Sequence, residues 1–226
     1  VNVRQNVLRK NDGLAAELRH GRPVLVLQNL GRRWWPIWHY AVVVGIDAAE
    51  NTVVLRSGAQ RRSLQSLRAF TASWDRADRW AMVTLVPGTL PADPDRMRYL
   101  TAVAALEDRG EATLAARAYA AWLEGHGEDR AARFGLARAA QAQGDLAQAA
   151  DAYARLLAEA PKDPVVLNNL ALIRADQGCR SEALALLDSI DERALSGDVL
   201  RVIAETRRDI EAREGTEDAC AASTHP

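Results

Sequence analysis

His39 opens the most informative stretch of this chain, Trp38-His39-Tyr40-Ala41-Val42-Val43-Val44-Gly45-Ile46-Asp47. An imidazole at the start of an apolar strand, just after an aromatic loop, is well placed to face a cleft and to move protons near neutral pH. Trp34, Trp35 and Trp38 stand beside it, and they either line a substrate groove or cover the sheet edge. Gln28 and Asn29 end the preceding apolar run and offer amide donors toward the same cleft, whereas Asp47 reads as a turn residue. His20, His126 and His225 show no ligand spacing, so no metal site is expected, and no cofactor motif is present. Cys179 and Cys220 are too few for a disulfide framework or a thiolate zinc site. They can pair with each other in an oxidising compartment. As a stand-in nucleophile Cys179 is disfavoured, because it follows Gly178 in a turn between two helices.

The elements that must position His39 occupy residues 1–88, where helix and strand signals mix. Asp12 can cap a short helix through His20, with Gly21 as its stop. Pro23 to Leu27 reads as a buried strand, Leu30 to Pro36 as a loop, His39 to Ile46 as a second strand, and Thr52 to Leu55 as a third after the turn at Asp47 to Asn51. Leu64 to Asp78 has the apolar spacing of an amphipathic helix, and Trp80 to Val86 is a last strand. Pro87, Gly88, Pro91 and Pro94 then form a breaker-rich linker, assigned to 89–95.

The bulk numbers set outer bounds. The 226 residues suffice for two small domains with their own cores. Basic and acidic residues nearly balance, 29 against 30, for a formal net charge of −1. Nothing in that balance suggests a nucleic-acid or anionic-membrane partner. The longest apolar run, Tyr40 to Ile46, is far too short to span a bilayer. Charges run throughout residues 1–20, so no signal peptide is visible. The chain opens at Val1 inside ordinary sequence, and its native start is expected upstream, so the compartment stays open.

After Arg96 the pattern changes to helices rich in Ala, Leu, Arg and Glu. Gly110, Gly144 and Gly178 are each 34 residues apart, as are Ala115, Ala149 and Ala183, and Tyr119, Tyr153 and Leu187. Leu136-Ala137 matches Leu170-Ala171 at the same period. Small residues let paired helices approach, and the large residue fills the gap to the next pair. Residues 96–197 resemble the tetratricopeptide repeat family; the bland alternative is an Ala-rich helical bundle. Val199 to Arg213 would be a capping helix, with Val199, Ile203 and Ile210 on its apolar side. Ala149 is expected at a helix crossing near Ala137, with Ala150 on a less crowded face. The resemblance implies an inner face lined by the first helix of each repeat. It would carry Met97, Thr101, Ala104, Glu107 and Asp108, then Ala131, Phe134, Arg138, Gln141 and Ala142, then Val165, Asn168, Leu172, Ala175 and Asp176. A peptide groove there would use Asn168 and Arg138 as polar anchors and Phe134 and Leu172 as apolar ones; otherwise the face is simply solvated or self-covered.

Gly21-Arg22-Pro23-Val24-Leu25-Val26-Leu27 followed by the His39 strand resembles the papain-like bacteriocin-processing, double-glycine leader peptidases of bacteria over residues 10–86. In that family the histidine is the general base for a cysteine nucleophile, and an acidic residue on the partner strand orients it. His39 takes the base position by this resemblance. The orienter position falls on Ser57, which can accept from an imidazole N–H but adds no charge. The nucleophile helix would precede this segment, and no cysteine lies there. The expected architecture is therefore an α+β N-terminal fragment, a papain-like half with an antiparallel sheet (1–88), then an all-α tetratricopeptide-repeat solenoid (96–213) and a disordered tail (214–226). The expected function is a cysteine-peptidase-like domain that hydrolyses or binds peptides, with the repeats recruiting a polypeptide; the alternative is a non-catalytic adaptor. The chain by itself is expected to be inactive, and no nucleic-acid partner or membrane span is expected.

Overall fold

A computed structural model of the chain describes residues 2–3, 11–213 and 220. The tail expected over 214–226 lies outside those residues apart from Cys220. The chain forms two compact units, 1–109 and 110–226.

The first unit runs β1 (Asn2–Val3), α1 (Asn11–Arg19), β2 (Val24–Asn29), β3 (Trp38–Asp47), β4 (Thr52–Ser57), β5 (Gln60–Ser66), α2 (Leu67–Asp75), β6 (Ala81–Thr84) and α3 (Arg96–Glu107). The strands form an antiparallel sheet in the order β1-β6-β2-β3-β4-β5. Alternation sorts the side chains, since successive residues of a strand point to opposite faces. Val24, Val26, Ala41, Val43, Val53 and Leu55 are buried together on one face. Leu14 of α1 and Phe70 and Trp74 of α2 cover that face and complete the core.

The helix expected over residues 64–78 is divided: Gln60–Ser66 is a strand, and the helix begins at Leu67. The spacing of Leu64, Leu67, Phe70 and Trp74 imitates a continuous helical stripe, but a strand–helix junction interrupts it. Leu64 belongs to an edge strand and stays 58% exposed. Ser66 ends the strand and caps the helix, its Oγ accepting from the Ala69 N–H at 3.3 Å. The breaker-rich stretch before α3 is tied to α1 through Glu17, which is buried. Its Oε1 accepts from the Ala92 N–H at 2.7 Å and its Oε2 meets Arg22 at 2.5 Å. α3, which the repeat spacing assigns to the first repeat, is grouped with the sheet.

The second unit is helical: α4 (Ala112–Gly125), α5 (Arg130–Ala142), α6 (Leu146–Glu159), α7 (Pro164–Asp176), α8 (Arg180–Asp188) and α9 (Gly197–Ala212). Each helix packs on its neighbour in sequence. Asp129, Asp145 and Asp163 cap α5, α6 and α7 by accepting from first-turn N–H groups. The 34-residue spacing reappears in three dimensions. Gly110, Gly144 and Gly178 all adopt left-handed backbone, with φ of 74°, 84° and 82°, a conformation that a Cβ penalises. Ala115, Ala149 and Ala183 are each fully buried, as are Ala137 and Ala171. Tyr119, Tyr153 and Leu187 fill buried positions four residues on from the first set. Ile203 and Ile210 of α9 are buried against α7 and α8, with Val199 packed beside them. Among the described residues, no helix is long and apolar enough to cross a membrane.

Ala150 departs from expectation: it is buried with Ala149 in the same cluster, because α6 is enclosed on both sides by α5 and α7. Ala154, on the exposed side of α6, is the tolerant position. Ala149→Leu is therefore expected to lower stability by about 2 kcal/mol through overpacking, whereas Ala154→Leu leaves it nearly unchanged. Thermal denaturation followed by circular dichroism measures both; equal melting temperatures contradict this packing.

Candidate functional site

β3 and β4 bring the two residues of the candidate catalytic pair together. By alternation His39 lies on the face of β3 that carries Ala41 and Val43, and Ser57 lies on the face of β4 that carries Val53 and Leu55. The pairing of Val42 with Arg56 puts the start of β3 beside the end of β4. His39 Nε2 and Ser57 Oγ are 2.7 Å apart, a short hydrogen bond between half-buried groups. The bond fixes the ring orientation, and which partner donates follows from the tautomer.

Gln28 sits directly across from His39 in the β2–β3 ladder, yet it does not serve the cleft. Its side chain is buried, and Nε2 donates to Gln65 Oε1 at 3.0 Å and to Ser73 Oγ at 2.7 Å. Both amide hydrogens are thereby committed to joining β2, β5 and α2. Asn29 is committed as well, but to the loop that follows. Its Oδ1 accepts from the Gly31 N–H at 2.9 Å and the Ile37 N–H at 3.1 Å, and its Nδ2 donates to the Arg32 carbonyl at 3.4 Å. Arg76, at the end of α2, donates twice to the Asn29 carbonyl, at 3.1 and 2.9 Å. Leu30 and Ile37 close the loop base, and Arg32 and Trp35 exchange backbone hydrogen bonds inside it.

This loop holds Trp34 and Trp35 in the open, at 73% and 68% exposure, and β3 opens on Trp38 at 56%. They do not cover the sheet edge, one of the two roles expected of them. Gly31 is required because a Cβ there would lie 2.3 Å from the Trp35 carbonyl oxygen. The Asn29–Gly31–Arg76 tie was not singled out from the sequence; an Asn-x-Gly at a strand end was its only local signal. The other face of the sheet carries an open cleft of about 850 Å3, lined by Leu25, Tyr40 and Met82 from the strands, Trp80 just before β6, and Met97 and Leu106 from α3.

The helical residues singled out from the sequence have unlike surroundings. Phe134 is partly buried, its ring edge-on to Tyr153 at 5.8 Å, so it serves the core between α5 and α6. Arg138 is exposed, and Leu172 is half-buried on α7. Asn168 is only 6% exposed, and its Oδ1 has no hydrogen-bond partner among the described residues. Cys179 is joined to Cys220 with 5.0 Å between their Cα atoms. Glu182 lies close to both sulfurs, but the disulfide uses the thiols, and Glu182 pairs with Arg174 at 3.4 Å.

Gly31→Ala is expected to destabilise the sheet unit by about 2 kcal/mol, because the added methyl meets backbone rather than a movable side chain. Urea unfolding followed by tryptophan fluorescence reads this, and an unchanged midpoint contradicts the tie. No protein-family model matches the chain, and no curated protein sequence matches it.

Proposed function

We propose that this chain binds polypeptides, its helical unit being a tetratricopeptide-repeat array that recruits an extended segment and its sheet unit the histidine-bearing half of a papain-like cysteine peptidase. The observation that carries the reading is Asn168. A buried carbonyl oxygen without a donor costs about 1–3 kcal/mol, and folded proteins seldom keep one without a use. Val165, Asn168 and Leu172 follow one face of α7 at helical spacing, with Val165 exposed and Leu172 half-buried. A rotamer change on that face lets the amide exchange hydrogen bonds with a peptide backbone, while Leu172 and Val165 offer apolar contact. The repeated left-handed glycines and buried alanines support the repeat-array reading.

For the sheet unit, the 2.7 Å bond between His39 and Ser57 supports a base with its orienter. Residues 1–109 contain no cysteine, so acyl transfer at His39 needs a thiol from outside that unit. The same fact favours the second reading, a non-catalytic adaptor whose sheet unit binds without cleaving.

Asn168→Leu tests the central part. The variant removes the unpaired oxygen while keeping the branched shape and the number of heavy atoms, so its melting temperature is expected to equal or exceed that of the parent chain. Fluorescence anisotropy with labelled, reduced and carboxymethylated lactalbumin as an unfolded probe is expected to show binding weakened about ten-fold. Unaltered affinity, or a destabilised fold, contradicts this use of Asn168.

A further inference from the structure

The end of the sheet where β2 meets β3 and β4 meets β5 carries a surface that the polypeptide-binding reading leaves unused. Trp34 and Trp35 form the tip, edge to face with ring centroids 6.4 Å apart. Ile37 and Leu30 flank them at 55% and 49% exposure. Exposed apolar clusters of this kind mark interaction sites. The Asn29, Gly31 and Arg76 contacts hold this one in place, so a partner would meet a preformed surface with little ordering entropy left to lose.

The surrounding charge has one sign. Arg32 and Arg33 are exposed within the loop, and Arg56, Arg61 and Arg62 are exposed at the adjoining ends of β4 and β5. The His39–Ser57 bond and the pairing of Ser57 with Gln60 bring those ends to the same side of the sheet. The two stretches that build it, 28–46 and 53–74, contain no Asp or Glu. Asp75 ends α2 and Asp78 follows it, and Asp75 is ion-paired with Arg79.

We propose that this end of the sheet docks on an anionic lipid bilayer, with Trp34, Trp35 and Ile37 entering the headgroup region and Arg32, Arg33, Arg61 and Arg62 meeting lipid phosphates. Tryptophan favours the membrane–water boundary, where its ring is apolar and its N–H stays wet. Arginines beside it add electrostatic attraction to anionic lipid. Single-stranded nucleic acid shares the preference for aromatic and cationic side chains, but it stacks on open ring faces. Here one face of Trp34 is occupied by the Arg32 guanidinium, 5.6 Å from the ring centroid, Trp35 stands edge-on to Trp34 rather than parallel to it, and the aliphatic Ile37 and Leu30 offer a base nothing to stack on. Docking of this kind is interfacial and needs no spanning helix.

The test uses the full chain and co-sedimentation with two kinds of vesicle, phosphatidylcholine alone and phosphatidylcholine mixed with phosphatidylglycerol. Binding is expected to the mixed vesicles, to weaken as salt rises, and to bring lipid-borne nitroxide within quenching range of the tip tryptophans. The double variant Trp34→Ser, Trp35→Ser is expected to lose at least about ten-fold in partitioning with an unchanged circular dichroism spectrum. Arg32→Ala or Arg33→Ala is expected to lose about five-fold each and to flatten the salt dependence. The proposal is overturned by absence of binding to the mixed vesicles at low salt, or by equal binding of the serine variant. It is overturned as well by tighter, tryptophan-dependent binding to oligothymidylate, or by self-association that buries the tip.

Discussion

The side-chain amide of Asn29 holds the end of the sheet where the candidate chemistry of that unit collects. It is buried, it satisfies three loop groups, and its own carbonyl takes two hydrogen bonds from Arg76. A buried amide with all its partners in place is rigid, because releasing any one leaves a polar group unpaired. The loop it ties then has a single shape. That shape keeps three tryptophans in water and delivers the chain into β3 at Trp38, so that His39 falls on the helix-covered face beside Ser57. Gln28, one residue earlier, alternates to that same covered face and is consumed there by Gln65 and Ser73. Two adjacent amides thus divide the work, one tying α2 to the sheet and the other building the loop.

The helical unit rests on a different constraint, the exclusion of side-chain volume. Ala137, Ala149, Ala171 and Ala183 are fully buried where a longer side chain would separate neighbouring helices. Because each helix packs chiefly on the next, stability is shared along the series. Within this well-filled background Asn168 buries a side-chain oxygen that has no hydrogen-bond partner among the described residues.

Much of this was legible in the sequence, for physical reasons that differ by element. The strands around His39 and the helices after Arg96 follow strong periodicities, and the recurring Gly positions fall at left-handed turns while the recurring Ala positions are buried. The junction at Ser66 was hidden, because Leu64, Leu67, Phe70 and Trp74 keep a helical spacing across a change of element. Ala150 was misjudged because a helix enclosed on two sides has no single buried face. The amides of Gln28 and Asn29 looked available for a cleft, since their partners lie as far away as Gln65, Ser73 and Arg76. The cationic end of the sheet was masked by averaging: a net charge of −1 describes the whole chain, whereas folding gathers arginines from two acid-free stretches to one place.

The proposed recruitment of an extended polypeptide along α7 is the central claim, and hydrogen exchange of the full chain tests it most directly. With saturating carboxymethylated lactalbumin, the account predicts added protection in the peptides covering 164–176, lost in Asn168→Leu. Protection absent from that helix, or retained in that variant, would contradict it.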